Sequence, residues 1–212
     1  TSAFREAVRA EETVLRNEYA GTDPSLSFTT KVVDSGAAAL TAESTEKVLG
    51  LMEALPYGVQ RMSADIEGLV ETSVNLGITE LSAENFTLKY SVRSSVATAF
   101  RAVVDKIEFV ASCFEASSAV HSEYPAWEYV RESAFRDEAA AIYRELFGKE
   151  LSVQAIHAGL ECGILSGKIK NLDAVSIGPD MKDIHTPEER LNIPSTKRVY
   201  DFVVKIIEHK SK

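Results

Sequence analysis

A histidine in a polar loop is the first residue here that could do chemistry. His185 lies in the proline-punctuated loop formed by residues 183–189. A neutral imidazole there could bind a metal ion or act as a base, since its reference pKa of about 6.5 leaves it largely neutral at pH 7. The structural alternative is that His185 or Thr186 caps a short helical turn beginning at Pro187. The spacing leaves both interpretations open.

A second histidine, His157, ends an apolar run and is followed by Ala158 and Gly159. Gly159 would let a ligand or a helix approach the backbone closely. The backbone amides of residues 158–160, at the N-terminus of a helix, would form a natural site for a carboxylate or an oxyanion. We favour this role over a catalytic one, although a satisfied histidine at the end of a strand explains His157 equally well.

Two further candidates have simpler explanations. Cys162 could be a thiol nucleophile with His157 as its base, but it falls in an apolar helical segment where cysteine usually packs. Glu11 and Glu12 lie on a charged amphipathic helix, where a solvated face is expected. A two-metal hydrolase needs several converging His, Asp and Glu ligands, and His185 is the one credible ligand. We therefore expect no complete metalloenzyme in this chain alone.

The segment from Leu151 to Ile193 must position both histidines. It contains an apolar run, a short helical stretch and a second apolar run that ends at Gly178. Strand, helix and strand in so few residues predict a βαβ crossover with two parallel strands. Loops that follow parallel strands emerge at the same edge of the sheet, where ligands bind. We therefore expect residues 157–159 to converge with the His185 loop.

Periodicity predicts the remaining elements. We expect helices over 2–20, 41–55, 94–110 and 133–148, a last helix from Ser195 that covers the parallel sheet, and strands over 26–33, 70–78, 86–92 and 114–120. Strands 70–78 and 86–92 form a predicted hairpin with one buried face. Its other face is too polar for a core and holds Glu71, Ser73, Asn75, Lys89, Ser91 and Arg93. Helices on one face of an antiparallel sheet define an α+β domain.

Composition and charge restrict the class of protein. The 212 residues are 45% hydrophobic, without an apolar run of the roughly 18 residues that a bilayer requires. A net charge of −9 argues against nucleic acid as a partner, because that partner needs clustered Lys and Arg. The two cysteines lie far apart in the sequence, so we do not expect a disulfide framework. A reducing compartment is therefore the default. We predict a soluble globular chain without membrane or nucleic-acid partners.

Several ordered runs resemble the aminoacyl-histidine dipeptidases, also called cytosolic non-specific dipeptidases, among the co-catalytic zinc exopeptidases that include carnosinases and carboxypeptidase G. The resemblance is strong from about Leu55 onward and weaker before it. Ala126 stands where the family often has Gly. The runs are YGV (57–59), VETSVNLG (70–77), RS (93–94), YPAW (124–127), IHAGLECG (156–163), VSIGP (175–179) and HTPEE (185–189).

The resemblance implies two parts of a larger enzyme. Residues 1–123 would be the later part of a lid and dimerisation domain, and residues 124–212 the closing, βαβ-containing segment of an α/β catalytic domain. The YPAW run, which interrupts both periodicities, marks the boundary. The family's first half carries a His-x-Asp motif, a Glu-Glu pair with the general base, and further Asp ligands. This sequence has none of these motifs, so we expect a C-terminal fragment.

The resemblance also implies residue roles. His185 would ligate one of two zinc ions, Arg93 would contact the substrate carboxylate or the tetrahedral intermediate, and His157, Ala158 and Gly159 would hold the substrate C-terminus. The intact protein would be a cytoplasmic, homodimeric zinc dipeptidase, of Xaa-His or broad specificity, and this fragment alone would be inactive. The alternative is a dimerising or binding module without catalytic activity.

Overall fold

The computed structural model describes residues 2–33, 39–154 and 161–211. The chain forms two compact units, Thr1–Leu40 and Thr41–Lys212. The division predicted between residues 123 and 124 concerns domains of a longer protein and stays a prediction.

Within its described residues, the first unit contains one helix, α1, over Ser2–Glu18, as predicted. Arg16 and Glu12 form an ion pair at 3.4 Å on its exposed side. The strand predicted over 26–33 is wrong, because these residues have no strand ladder in the described part of the chain. Alternation of apolar residues defines a face, but a strand also needs a neighbour for its backbone hydrogen bonds.

The second unit is built on an antiparallel sheet of order β1-β2-β3, with β1 over Gly58–Met62, β2 over Val70–Leu81 and β3 over Phe86–Ser94. The β2–β3 hairpin confirms the prediction, and β1 was not predicted. The register shifts by one residue at Gly77, between the pairs Leu76↔Tyr90 and Ile78↔Lys89. This shift is a β-bulge, so the two ends of β2 present their side chains in opposite phase.

One helix packs on this hairpin, and a second helix packs on the first. Helix α2, over Ala42–Ala54, begins at Thr41, whose hydroxyl accepts from the Ser44 amide at 3.1 Å as expected. Helix α3, over Ala97–Cys113, packs on β3, and α2 packs on α3. The prediction that Ser94 or Ser95 caps α3 is wrong, because Glu128 Oε1 accepts from the Ala97 amide at 3.1 Å. A distant carboxylate therefore holds the start of α3.

A second core lies between α4, over Ala134–Phe147, and α6, over Ile193–Lys210. Helix α4 begins at Ser133, whose hydroxyl accepts from the Arg136 amide, and ends at Gly148 with φ of 63°, both as predicted. The buried residues of this core are Ala139, Ile142, Phe202 and Ile206. The apolar side of α6, predicted to cover a parallel sheet, packs on α4, and the described residues contain no parallel sheet. Its other side leaves a stripe exposed, formed by Ile193, Tyr200 and Ile207.

The central segment only partly follows its prediction. Helix α5, over Glu161–Lys168, is present, but residues 151–154 and 171–180 have no strand ladder. A short antiparallel hairpin follows, with β4 over Met181–Lys182 and β5 over Arg190–Leu191. The described residues therefore contain the helix of the predicted βαβ unit without its parallel strands. Parallel strands are stable inside a sheet covered on both faces, and no such sheet occurs among the described residues.

The strand predicted over 114–120 is also wrong, since these residues form a loop after α3. Phe114 instead packs against α2, where a Cβ on Gly50 would lie 2.6 Å from the Phe114 ring. The fold class is nonetheless confirmed as a mixture of helices with a small antiparallel sheet. Among the residues described, none of the helices combines the length and apolarity that crossing a bilayer requires.

Candidate active-site cleft

An open cleft of about 1930 Å³ runs along the free edge of β3. Because β3 pairs only with β2, its other edge carries backbone groups without strand partners in the described part of the chain. Residues of α3, α4 and the first half of α6 also line it, together with several loops. The longest lining segments are 85–95, 116–130, 151–154 and 171–178.

The cationic side chains of the cleft differ in whether they already have partners. The Lys and Arg residues that line the cleft are Lys89, Arg93, Arg101, Arg136 and Arg198. The ion pairs join Lys89 to Glu80, Arg101 to Glu123 and Arg198 to Asp180, while Arg136 donates to the carbonyls of Val130 and Arg131. The guanidinium of Arg93, in contrast, forms neither a hydrogen bond nor an ion pair within residues 2–33, 39–154 and 161–211.

The position of Arg93 suits it to receive an anion. It lies near the end of β3, opposite Ser73 of β2, and its side chain is exposed to the cleft. A guanidinium presents a rigid fork of N–H donors that matches a carboxylate with two parallel hydrogen bonds. Arg93 is therefore the cleft residue best placed to bind a carboxylate.

His185 lies in the loop between β4 and β5, with its backbone at φ of 66°. Its amide donates to Glu189 Oε2 at 2.9 Å. His185 is exposed and is not among the described residues that line the cleft. Thr186 holds the turn, because its hydroxyl donates to the Asp183 carbonyl at 2.7 Å and accepts from the Glu188 amide at 3.2 Å. The turn thus uses Thr186, and within the described parts of the chain the imidazole of His185 has no hydrogen-bonding partner.

The possible metal donors of the chain do not converge among the described residues. Zinc sites take three or four His, Cys, Asp or Glu ligands. No cluster of three or more such residues occurs in the part of the chain that the structure describes. The described residues therefore do not form a complete zinc site by themselves.

The other predicted site residues are only partly described. His157, Ala158 and Gly159 lie outside the described residues, and so does their predicted convergence with the His185 loop. Cys162 is half-buried in α5, but its suggested base is His157, so the thiol interpretation has no geometry to support it.

A carboxylate that sequence reasoning did not single out lies on the cleft wall. Asp173 accepts from the Ser133 hydroxyl at 2.6 Å and from the Phe135 amide at 2.9 Å, at the N-terminus of α4. The Ser133 hydrogen bond, followed by that of Phe135, lowers the pKa of the Asp173 carboxyl below its ordinary value. Because its oxygens are already hydrogen-bonded, Asp173 is a poor candidate for a general base. Its role is to hold residues 171–173 against α4.

The fold compares closely with that of a peptidase of known structure. The crystal structure of aminoacylhistidine dipeptidase from Vibrio alginolyticus superposes with a TM-score of 0.87 at 26% sequence identity, over 98% of this chain and 42% of that one. The chain therefore shares its fold with part of that dipeptidase, which confirms the resemblance predicted from the motifs.

A curated relative agrees with the structural comparison. The cytosol non-specific dipeptidase of Escherichia coli (strain K12) is 29% identical over 205 residues, which are 97% of this chain and 42% of the relative. No protein-family model matches the chain. The chain thus spans less than half the length of either relative.

Proposed function

We propose that this chain works as part of a metal-dependent dipeptidase, in which it contributes one zinc ligand and the residues that bind the substrate carboxylate. The observation that carries the proposal is Arg93, the cationic side chain that lines the cleft without an ionic or hydrogen-bonding partner in the described residues. The similarity to two dipeptidases over nearly the whole chain supports the same reaction class.

The proposed mechanism assigns separate tasks to the residues of this chain. Arg93 binds the C-terminal carboxylate of the dipeptide, or the oxyanion of the tetrahedral intermediate, with its forked N–H groups. His185 would hold one of two zinc ions, and the amides of residues 158–160 would support the substrate carboxylate. Bound zinc supplies the Lewis acidity that polarises a peptide carbonyl and activates water. The carboxylate of Asp173 is already hydrogen-bonded at the N-terminus of α4, so we place the general base in residues beyond this chain.

The domain assignment belongs to the same proposal. Residues 1–123 form the later part of a lid that also makes a homodimer, and residues 124–212 close the catalytic domain of a cytosolic enzyme. Large apolar side chains that are exposed on the second unit, such as Tyr57, Phe109 and Tyr200, support a need for further packing.

Substitution of Arg93 tests the proposal in the full-length enzyme containing this chain. Arg93→Ala should reduce kcat/KM for neutral dipeptides by roughly 100-fold, because a charge-assisted contact to the reacting substrate is lost. Lys89→Ala is the matched control, since Lys89 lies on the same strand and in the same cleft but pairs with Glu80. Steady-state kinetics on a dipeptide panel measure both. Equal kinetics of Arg93→Ala and the parent enzyme would remove the proposed role.

Metal analysis tests the second assignment. His185→Ala should lower the zinc content of the purified enzyme and abolish most dipeptide hydrolysis, because one of few ligands is lost. Glu188→Ala changes the same loop without removing the histidine and serves as control. A His185→Ala enzyme with full zinc content and full turnover would exclude His185 as a ligand.

The second candidate function is a dimerising or binding module. It is favoured by the lack of any group of three metal donors among the described residues. Size measurement of the chain and a dipeptidase assay of the full-length protein discriminate between the two. A dimeric chain within a full-length protein that has no peptidase activity supports the module, whereas chelator-sensitive dipeptide hydrolysis that depends on Arg93 and His185 excludes it.

A further inference from the structure

The sheet end that carries Arg93 contains a buried charge that the proposed reaction does not use. Glu71 on β2 is only 5% exposed, and its neighbour Thr72 is only 1% exposed. Burying an ionised carboxylate costs several kcal/mol unless partners compensate. The contacts of Glu71 therefore indicate which strands this buried charge holds together.

The side chain of Glu71 joins β1 to the middle strand. Its Oε1 lies 3.2 Å from Arg61 Nε and 3.4 Å from the Thr72 hydroxyl. Arg61 and Thr72 are register partners across β1 and β2, at a place where the β1 register is irregular. The ion pair thus fixes the edge strand where the regular ladder does not.

Thr72 and the backbone of Glu71 extend this network to β3. The hydroxyls of Thr72 and Ser94 are 2.9 Å apart, and these two residues are register partners. The Ser94 hydroxyl also accepts from the Val96 amide at 3.1 Å, and the Ser95 amide donates to the Glu71 carbonyl at 3.2 Å. Both links act on residues that directly follow Arg93. The end of β3 is therefore held from β2 by polar contacts.

We propose that Glu71 is a positioning residue for Arg93: the polar network Arg61–Glu71–Thr72–Ser94 sets the backbone from which the Arg93 guanidinium reaches a substrate carboxylate. This inference rests on the proposed function of Arg93. A shift of about 1 Å at a reacting group can cost roughly 100-fold in rate, so a residue that never touches the substrate can govern turnover.

A double-mutant cycle in the full-length enzyme tests the inference. Glu71→Gln keeps the shape of the side chain and should reduce kcat/KM for a neutral dipeptide about tenfold or more. In an Arg93→Ala background the same substitution should cause no further loss, because Glu71 acts through Arg93. The parallel control is Glu80→Gln, which removes a β2 carboxylate whose pair with Lys89 is exposed. That control should leave kcat/KM unchanged in both backgrounds.

The outcomes separate the inference from the function on which it rests. Additive losses for Glu71→Gln and Arg93→Ala would overturn the positioning role while leaving Arg93 as a substrate contact. No loss for Arg93→Ala would overturn the proposed function and the inference with it. If Glu71→Gln fails to fold, as judged by its far-ultraviolet spectrum and melting curve, Ser94→Ala takes its place in the cycle. Ser94→Ala removes the β3 end of the network without leaving a buried charge unpaired.

Discussion

The backbone of His185 lies in the left-handed region, which an L-residue with a side chain rarely adopts. Such a conformation costs on the order of 1 kcal/mol or more and persists where the surrounding structure imposes it. Here the imposing contacts are those of Thr186 and the Glu189 carboxylate with the loop backbone. The protein therefore maintains a histidine where glycine would be less strained.

We predict that stability and metal binding respond in opposite directions at this position. His185→Gly should leave the free energy of unfolding unchanged or raise it by roughly 1 kcal/mol, because the strain is relieved. His185→Val should lower it, since a β-branched residue is least tolerant of positive φ. Urea denaturation of the three proteins measures this order. A glycine variant less stable than the valine variant would contradict it.

Spacing alone could suggest His185 but could not assign Arg93 or Glu71. Alternation along β2 and β3 places both on the polar face of the hairpin and predicts solvent for that face. Arg93 is exposed as the pattern predicts, whereas Glu71 is buried, so the polar-face interpretation is wrong for Glu71. A strand pattern defines two faces but does not report what covers each of them. The role of Arg93 came from a motif resemblance, which no spacing rule supplies.

At the scale of elements, the N-terminus of α4 is held by two side chains rather than one. Ser133 caps the helix and also donates to Asp173, which in turn accepts from the Phe135 amide. A carboxylate near a helix N-terminus is favoured by the helix dipole. This arrangement ties residues 171–173 to α4 through an ionised group.

Stability should therefore depend on pH through Asp173. Its pKa is lowered in the folded protein, so its contribution is fully present above the unfolded value of roughly 3.9 and is lost as pH falls through the folded pKa. The difference in unfolding free energy between the parent and Asp173→Asn should be largest above about pH 5 and shrink at lower pH. Asp137→Asn removes a charge from the same helix turn and is the control. A difference that is constant from neutral to acidic pH would exclude this contribution.

Helix α5 depends on a close approach to the YPAW run. A Cβ on Gly163 would lie 2.8 Å from the Pro125 carbonyl oxygen, and one on Gly167 would lie 3.2 Å from Pro125 Cγ. These two glycines, one turn apart, let the Pro125–Trp127 backbone lie directly on the helix. The predicted domain boundary is thus packed against α5 at its centre.

Gly163→Ala should destabilise the protein by about 1–3 kcal/mol, because backbone atoms would have to move apart. The gain in helix propensity, on the order of 1 kcal/mol, offsets part of this cost. Gly178→Ala is a suitable control, since a Cβ there meets nothing within 4 Å and its φ is ordinary. That control should be neutral or slightly stabilising. Thermal unfolding of both variants measures the contrast, and equal melting temperatures would refute it.

Elements with strong local signals were predictable, and elements that need partners were not. Helix α2 begins at Thr41, and α4 begins at Ser133 and ends at Gly148. These capping residues are recognisable from their types alone. Strand β1 was missed because its five residues do not alternate, and its pairing is irregular. Residues 26–33 and 114–120 alternate but find no strand partner in the described part of the chain. Pairing is a property of distant residues, which local periodicity cannot report.

At the scale of the whole molecule, the chain shares its fold with part of a dipeptidase of known structure and exposes many large apolar side chains. Its similarity covers 42% of each relative. Composition predicted a packed chain but could not predict how much surface would lack cover, because that depends on what else packs against it. The exposed surface therefore matters for how the isolated chain behaves.

The exposed stripe of α6 should govern the colloidal behaviour of the isolated chain. Ile193, Tyr200 and Ile207 recur every seven residues and are 78%, 68% and 59% exposed. Apolar association strengthens with sulfate, so self-association through this stripe should grow with ammonium sulfate and weaken in a Tyr200→Lys variant. Light scattering over a concentration series measures it. If the extent of dimerisation of the isolated chain changes neither with sulfate nor in Tyr200→Lys, the dimer forms through another surface, such as the proposed lid.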